Sequence, residues 1–198
     1  MNPHDISQLL ELEAQAIRNI PVSHAFEQAI QLILSHIHQR HGTLIASGIG
    51  KAGQVAVNVA TTFASTGTPA YFLHPTEAQH GDLGILRPDD LLLLISNSGK
   101  TRELIELVEL SRGIVPDIPS IVITSNPDSP LAQQASVCLH TGAPPEVCPL
   151  GLTPTTSTTV MSVIGDILVV STMQHIRFSK SQYALRHHGG YLGSISRS

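Results

Sequence analysis

The chain has 198 residues, a formal net charge of -4 and only 4% aromatic residues. This length suits one sizeable α/β domain and is too short for two ordinary ones. Because no run of lysine or arginine is present, the composition excludes the basic face with which proteins bind nucleic acid or an anionic membrane, and it favours a small-molecule partner.

The N-terminus and the cysteines predict where the protein works. Asn2, His4 and Asp5 are polar, so no apolar signal segment opens the chain. We also expect no stretch of about 20 apolar residues of the kind that spans a membrane. Cys138 and Cys148 are the two cysteines, and this usage fits reduced thiols better than a disulfide framework. We therefore expect a cytoplasmic protein.

Helices and strands are predicted to alternate after two N-terminal helices. Apolar residues recur at helical spacing over 4–18 and 23–40, and Ser23 is placed to cap the second helix. Short apolar segments that we interpret as strands cover 43–46, 70–73, 91–95, 121–124 and 137–140. Helical patterns between them cover 52–65, 101–112 and 129–136. This alternation predicts right-handed βαβ units and a parallel sheet.

A Pro- and Gly-rich loop over 142–154 precedes a long apolar helix over 155–175. We interpret the apolar seam of this helix as core or subunit interface. No internal repeat or linker interrupts the chain. We therefore treat 1–198 as one domain, with N-terminal helices over 1–40 and an α/β core with a C-terminal active-site segment over 41–198.

A glycine pattern follows the first predicted strand. Gly48, Gly50 and Gly53 form G-x-G-x-x-G, an arrangement that can hold a dinucleotide pyrophosphate at a helix N-terminus. A nicotinamide site would also need an acidic residue at the end of the second strand, where Leu73 and His74 stand. The dinucleotide interpretation is therefore disfavoured, and the glycines indicate a tight turn or close backbone approach to a ligand.

Residues 96–101, Ser-Asn-Ser-Gly-Lys-Thr, follow an apolar strand and open a helix. Their hydroxyls and free N–H groups converge where the helix dipole is positive, which predicts a phosphate-binding loop. The Gly-Lys-Thr triplet is similar to the end of a P-loop, but Leu94 stands where that motif needs glycine, so an ATPase is disfavoured. The alternative is that Ser98 or Thr101 only caps the helix.

Titratable side chains crowd the loop after the second predicted strand. His74, Glu77, His80 and Asp82 lie within nine residues, and such a loop is expected at the ligand-binding edge of a parallel sheet. This pattern predicts an acid–base loop. Histidine is frequent in the chain, with eleven copies, so any single one is more often a surface or satisfied buried group.

Residues 48–51, 63–69, 74–82, 96–99 and 148–159 together resemble the arabinose-5-phosphate isomerases of the sugar isomerase (SIS) domain superfamily. The resemblance covers nearly the whole chain. It implies a doubly wound three-layer αβα sandwich around a five-stranded parallel sheet, in the form without the tandem cystathionine-β-synthase modules that many members append. It also implies interconversion of D-arabinose 5-phosphate and D-ribulose 5-phosphate through an enediol, for lipopolysaccharide or capsule synthesis. An isomerase of another aldose phosphate and a non-catalytic phosphosugar sensor stay open.

The resemblance also implies a site, position by position. The catalytic groups would be Lys51, Glu103, Glu146 and His187. The substrate would lie against Ser47, Gly48, Gly67, Thr68, His80, Ser96, Asn97, Ser98 and Thr101. No cofactor is required, and His74 corresponds to a position that can bind an inhibitory divalent metal such as zinc. Related assemblies are tetramers with shared sites, so we expect a homotetramer with active sites at subunit interfaces and His187 lent to a neighbour.

The chemistry of such an isomerisation assigns roles to these groups. We assign removal of the C2 proton to Glu103, and ring opening or proton transfer between O1 and O2 to His187. Lys51 would stabilise the developing enediolate. Glu146 would orient Lys51 or His187, or share the base role. The chain departs from the family pattern at Ala52, Lys100 and His188. Of these, Lys100 and His188 bear on substrate choice and leave the exact sugar open.

Overall fold

The computed structural model describes residues 3–189, and within them helices and strands alternate after two N-terminal helices. The strands are β1 (Leu44–Gly48), β2 (Ala70–Phe72), β3 (Leu91–Ile95), β4 (Ser120–Thr124) and β5 (Val137–His140). The α-helices are α1 (Pro3–Arg18), α2 (His24–Ile33), α3 (Gly50–Ser65), α4 (Pro75–Ala78), α5 (Arg102–Ile114), α6 (Pro130–Gln134), α7 (Thr156–His175) and α8 (Lys180–Ala184). A π-helical turn covers Leu34–Gln39 and a 3-10 turn covers Asp82–Ile85.

The strands form one five-stranded sheet in the order β2-β1-β3-β4-β5, and every neighbouring pair is parallel. This confirms the predicted parallel sheet. The chain runs from β1 outward to β2 and then returns past β1 to β3, so the direction of winding reverses between β1 and β3. In open α/β sheets the crevice outside the carboxyl ends of such a pair is where ligands bind.

Helices cover both faces of the sheet, which confirms the predicted sandwich. On one face the apolar sides of α1, α2, α3 and α7 pack on alternate strand residues such as Ala46, Leu93 and Ile123. On the other face α4, α5 and α6 pack on the intervening residues, such as Leu94 and Val122. Because both faces are covered, β1, β3 and β4 are buried along their whole length, and each contains a continuous apolar run.

Two predictions about the helices need correction. The helix predicted over 23–40 ends at Ile33, because the chain then widens into π-helical turns in which the N–H of Arg40 bonds the carbonyl of Ser35, five residues back. Short helices α4 and α8, and the 3-10 turn, were not predicted. They are too short to show a helical period in the sequence.

Helix α7 corrects the expectation that no segment is long and apolar enough to span a membrane. By length and composition α7 passes that test, alone among the helices of residues 3–189. Half of the apolar stretch is buried inside the fold, however, where α7 packs on α3. Gly165 of α7 lies against Val59 of α3, with room only for a hydrogen between the two helices. This placement is typical of a core helix.

Candidate active site

A pocket of about 260 Å³ opens at the carboxyl ends of β1 and β3. Three segments line it: residues 49–52 after β1, residues 95–101 after β3, and the approach to and first turns of α7, at Pro154, Ser157, Thr158 and Met161. A groove of about 330 Å³ between α3 and α7 continues from it and shares Lys51 and Thr158. The pocket therefore occupies the crevice that the strand order predicts.

The serine-rich loop that forms one wall is held from within by Ser96. This side chain is buried, and its Oγ accepts a hydrogen bond from the N–H of Gly99 at 3.1 Å and lies 2.8 Å from Thr101 Oγ1. Gly99 has φ +62°, and a Cβ there would lie 1.9 Å from Ser129 Oγ, so only glycine fits. Ser96 and Gly99 thus stabilise the conformation of the loop.

The neighbouring loop after β4 supports the other side of the serine-rich loop. The carbonyl oxygen of Asn97 accepts hydrogen bonds from Ser125, through both its N–H and its Oγ, and from Thr124 Oγ1, at 2.7 to 3.0 Å. Because three hydrogen bonds hold the carbonyl of Asn97, the loop does not need a ligand to hold its shape. A preformed loop binds an anion without the entropic cost of ordering.

The start of α5 lacks a side-chain cap. Thr101 is the N-cap residue, yet its hydroxyl makes no capping hydrogen bond, and Ser98 Oγ accepts from the N–H of Lys100, which precedes the helix. The interpretation of Ser98 or Thr101 as a simple helix cap is therefore not supported. Within residues 3–189, no protein acceptor is bonded to the N–H groups of Ser98 and Thr101. Such N–H groups at a helix N-terminus form an anion site.

Lys51 supplies the positive charge on the opposite wall. It lies in the first turn of α3 and is exposed to the pocket. Ser47 and Gly48, which were also predicted to bind substrate, lie beneath this wall: Ser47 is buried and its Oγ donates to the carbonyl of Leu73 at 2.7 Å. A Cβ on Gly53 would lie 2.7 Å from Gly48 O, so the glycines of the G-x-G-x-x-G pattern let α3 pack closely on β1.

Glu146 caps helix α7. Its Oε2 accepts hydrogen bonds from the N–H of Thr155 at 2.7 Å, from Thr155 Oγ1 at 3.0 Å and from the N–H of Ser157 at 3.3 Å. Partial burial by itself raises the pKa of Glu146, but the hydrogen bonds from Ser157 and Thr155 outweigh it and hold the pKa below its ordinary value. Glu146 is therefore a carboxylate whose charge faces the positive end of the helix.

A second carboxylate, Glu13 of α1, reaches the same end of α7. Its Oε1 accepts a hydrogen bond from Thr156 Oγ1 at 2.9 Å, and that hydroxyl in turn accepts from the N–H of Val147 at 3.2 Å. Sequence reasoning missed Glu13, Ser157 and Thr158. The last two lie within the 148–159 segment of the resemblance, whereas Glu13 gives no signal beyond its helical position.

Glu103 lies in the first turn of α5, partly buried, two residues beyond the pocket wall at Thr101. The loop with His74 and His80 packs beside this helix, where Gln79 Nε2 donates to Glu106 Oε2 at 2.9 Å. Both histidines are exposed. The structure therefore gathers Lys51, Glu103, Glu146, both histidines and the serine-rich loop at the carboxyl edge of the sheet.

The predicted metal position has few partners in a single chain. The ring of His74 meets Phe72 edge to face, with 6.2 Å between ring centroids. Across residues 3–189, no group of three His, Cys, Asp or Glu side chains is arranged to hold a metal ion. His74 thus offers one imidazole ligand, and the metal assignment stays a prediction.

Gly67, Thr68 and His187 lie elsewhere. Gly67 and Thr68 precede β2, at the amino edge of the sheet, where the buried Thr68 Oγ1 lies 3.0 Å from His38 Nε2. The C-terminal segment packs on this turn, since a Cβ on Gly67 would lie 2.7 Å from Phe178. The central strands β1 and β3 are five residues long, so about 16 Å of sheet separates the two edges. One chain therefore does not bring these residues to the pocket.

The fold and the pocket define a doubly wound α/β protein with a pocket, lined by Lys51 and the serine-rich loop, at the point where its strand order reverses. The SIS domain model matches residues 36–171, and the chain belongs to the SIS domain family. This match covers most of the chain and includes every segment that lines the pocket at the carboxyl edge of the sheet.

Three similar proteins illustrate the relationship. A Bacteroides fragilis protein proposed to be a phosphosugar isomerase involved in capsule formation is 63% identical, with a TM-score of 0.94 over 95% of this chain and 98% of that one. An Escherichia coli CFT073 protein in complex with arabinose 5-phosphate is 34% identical, with a TM-score of 0.84 over 94% and 100%. The arabinose 5-phosphate isomerase KdsD of Yersinia pestis is 40% identical over 94% of this chain. The chain spans 56% of the length of that relative.

Proposed function

We propose that the chain is an aldose-ketose isomerase that interconverts D-arabinose 5-phosphate and D-ribulose 5-phosphate. The pocket between Lys51 and the serine-rich loop carries this proposal, because it places the N-terminus of α5 opposite the positive charge of Lys51. Similarity to KdsD, named as an arabinose 5-phosphate isomerase, and to a protein in complex with arabinose 5-phosphate supports the choice of sugar. The pocket and its groove provide the volume for a five-carbon sugar phosphate.

The phosphate would bind at the N-terminus of α5. There the N–H groups of Ser98 and Thr101 and their hydroxyls meet the positive end of the helix dipole. Anchoring the phosphate fixes the far end of the sugar and restricts C1 and C2 to the opposite side of the pocket. Such binding energy is used to hold the reacting carbons in position.

The reaction moves one proton from C2 to C1 and another from O2 to O1, so that the C1 aldehyde becomes a hydroxyl and the C2 hydroxyl becomes a ketone. Glu103 removes the proton from C2, the electrons of that bond form the enediol, and a proton returns to C1. The C1 carbonyl oxygen gains a proton while the C2 hydroxyl loses one, and His187 carries out this transfer or opens the furanose ring. Lys51 stabilises negative charge on the enediolate oxygens. No redox cofactor enters this sequence of steps.

Glu146 fits a positioning role better than a role as the base. Three hydrogen-bond donors at the start of α7 engage its Oε2, and its lowered pKa makes it a weak base. By fixing the first turn of α7, Glu146 holds Ser157 and Thr158 on the pocket wall. Among the described residues these contacts go to Thr155 and Ser157 and not to Lys51 or His187, so orientation of Lys51 or His187 by Glu146 stays a prediction.

We also propose that the sites are shared in a homotetramer. Gly67, Thr68 and His187 lie at the amino edge of the sheet, so they serve a pocket of a neighbouring copy. Exposed Ile167 and Val170 on the outer side of α7 offer apolar surface for such a contact. Co-expression of E103Q and H187Q chains tests this, because mixed oligomers regain activity only if the two side chains act across an interface. Light scattering measures the oligomer size.

The cellular setting follows from the same proposal. The two cysteines are free thiols, which is consistent with a cytoplasmic location. Similarity to a protein proposed to act in capsule formation supports a place in the synthesis of a surface polysaccharide. The immediate consumer of the product would be an enzyme that acts on a five-carbon sugar phosphate.

Proton NMR of the purified protein with D-arabinose 5-phosphate in D₂O tests the activity directly. We expect ketose signals and deuterium uptake on the carbon chain. E103Q should keep phosphosugar binding and lose turnover, while E109Q, on the exposed side of the same helix, should behave as the wild type. Binding without conversion or deuterium exchange would favour a phosphosugar sensor, and conversion of a different aldose phosphate only would change the substrate.

A further inference from the structure

The ring of His187 is stacked on the ring of Tyr183. The two centroids are 3.7 Å apart and the planes differ by 9°. The residues are one helical turn apart, at the end of α8 and just beyond it, so their side chains lie on the same side of the helix. This contact fixes the plane of the imidazole.

A hydrogen bond fixes the proton of the same ring. His187 Nδ1 lies 3.1 Å from the backbone carbonyl oxygen of Tyr183. A carbonyl oxygen only accepts, so Nδ1 must carry the proton. In the neutral ring Nε2 then has a free lone pair on the opposite side of the imidazole. In the part of the chain that the structure describes, no partner is bonded to Nε2.

The segment that carries these two rings is anchored at several points. A capping box between Ser179 and Gln182 starts α8. The ring of Phe178 lies against Gly67, and the guanidinium of Arg186 sits 5.4 Å above the centre of the Phe178 ring. The stacked pair is therefore presented from a defined position at the amino edge of the sheet.

We infer that Tyr183 is a positioning residue that holds His187 as the Nδ1–H tautomer with Nε2 available for proton transfer. The ring of Tyr183 keeps the imidazole parallel to it, and its backbone carbonyl selects the tautomer. The inference rests on the proposed role of His187 in the isomerisation. Because Nδ1 keeps its proton, the imidazole can accept a proton at Nε2 and donate it again without first changing its tautomer.

Nitrogen NMR of protein labelled at histidine tests the tautomer independently of activity. The His187 signals are assigned by their loss in H187Q. We expect a protonated Nδ1 and an unprotonated Nε2 in the neutral wild-type ring and in Y183F, which keeps the stacking. Y183L should show exchange between tautomers. If Y183L does not fold, Y183M replaces it in the experiment. L185A is the matched control, because Leu185 lies between the two residues and is exposed.

Steady-state kinetics supply the second readout. Y183L should lower kcat by about tenfold or more, with KM for arabinose 5-phosphate nearly unchanged, and Y183F should restore kcat. An Nδ1–H tautomer that persists in Y183L and Y183M would overturn the inference. If the wild type does not isomerise, the proposed function fails, while the NMR spectra still decide whether Tyr183 fixes the tautomer.

Discussion

The carboxylate of Glu146 lies 2.7 Å from the backbone nitrogen of Thr155, at the start of α7. A residue ten positions before the helix thus performs the capping that Thr155 itself does not, since the Thr155 side chain makes no capping hydrogen bond. Because the same helix end forms part of the pocket wall, this contact links the stability of α7 to the shape of the site.

We expect E146Q to be less stable than the wild type by about 1 kcal/mol at pH 7, since the substitution removes the charged acceptor at a helix N-terminus. The pKa of Glu146 is lower in the folded than in the unfolded chain. Its charge therefore stabilises the fold above the unfolded pKa, and this contribution is lost as the pH falls through the folded pKa. Urea denaturation should show a difference that shrinks below about pH 4.5. A difference that is the same at every pH would contradict this role.

The two serines of the pocket loop should respond differently to removal of the hydroxyl. S96A should lower the free energy of unfolding by about 1 to 2 kcal/mol, because the buried Oγ accepts from Gly99 and contacts Thr101. S98A should leave stability unchanged, since Ser98 is exposed, and weaken phosphosugar binding by about tenfold. Calorimetric titration and thermal unfolding measure the two effects. Unchanged affinity in S98A would remove Ser98 from the phosphate site.

The contact between α3 and α7 predicts a coupled pair of substitutions. A Cβ on Gly165 would lie 2.3 Å from Val59 Cγ2, so G165A should destabilise the protein by about 1 to 3 kcal/mol. V59A alone removes buried methyl groups and also destabilises. In the double variant the two methyl changes offset each other, and the loss should be smaller than the sum. Strictly additive losses would show that the helices separate instead of meeting at this point.

Cys148 and Cys138 should differ in reactivity toward alkylating agents. Burial by itself raises the pKa of Cys148, but hydrogen bonds from the backbone N–H groups of Thr153 and Leu152 lower it to about 7. Burial raises the pKa of Cys138. Iodoacetamide labelling followed by mass spectrometry should modify Cys148 first, with a rate midpoint near pH 7. C148S provides the control for labelling at Cys138.

Secondary structure and strand direction were predictable from the sequence to within a few residues. The runs at 91–95 and 137–140 coincide with β3 and β5, because short apolar segments between helical patterns have few other interpretations in an α/β chain. The C-terminal end of α2 was less predictable, since a π-helical turn has nearly the same apolar spacing as the α-helix it extends. α7 combines an apolar seam with Ser, Thr and Asp side chains, and its length and hydropathy meet the criteria of a membrane span as well as those of a core helix.

The sequence by itself determined the parallel sheet, the serine-rich loop at a helix N-terminus and Lys51 at the start of another, because these depend on residues that are neighbours along the chain. Only the tertiary structure decided that β1 and β3 lie side by side, which brings Lys51 and Ser98 to one pocket. It also decided that Glu146 faces a helix end and that His187 lies at the opposite edge. The physical reason is that packing between distant segments selects one strand order and one set of side-chain partners, and no local pattern encodes that choice.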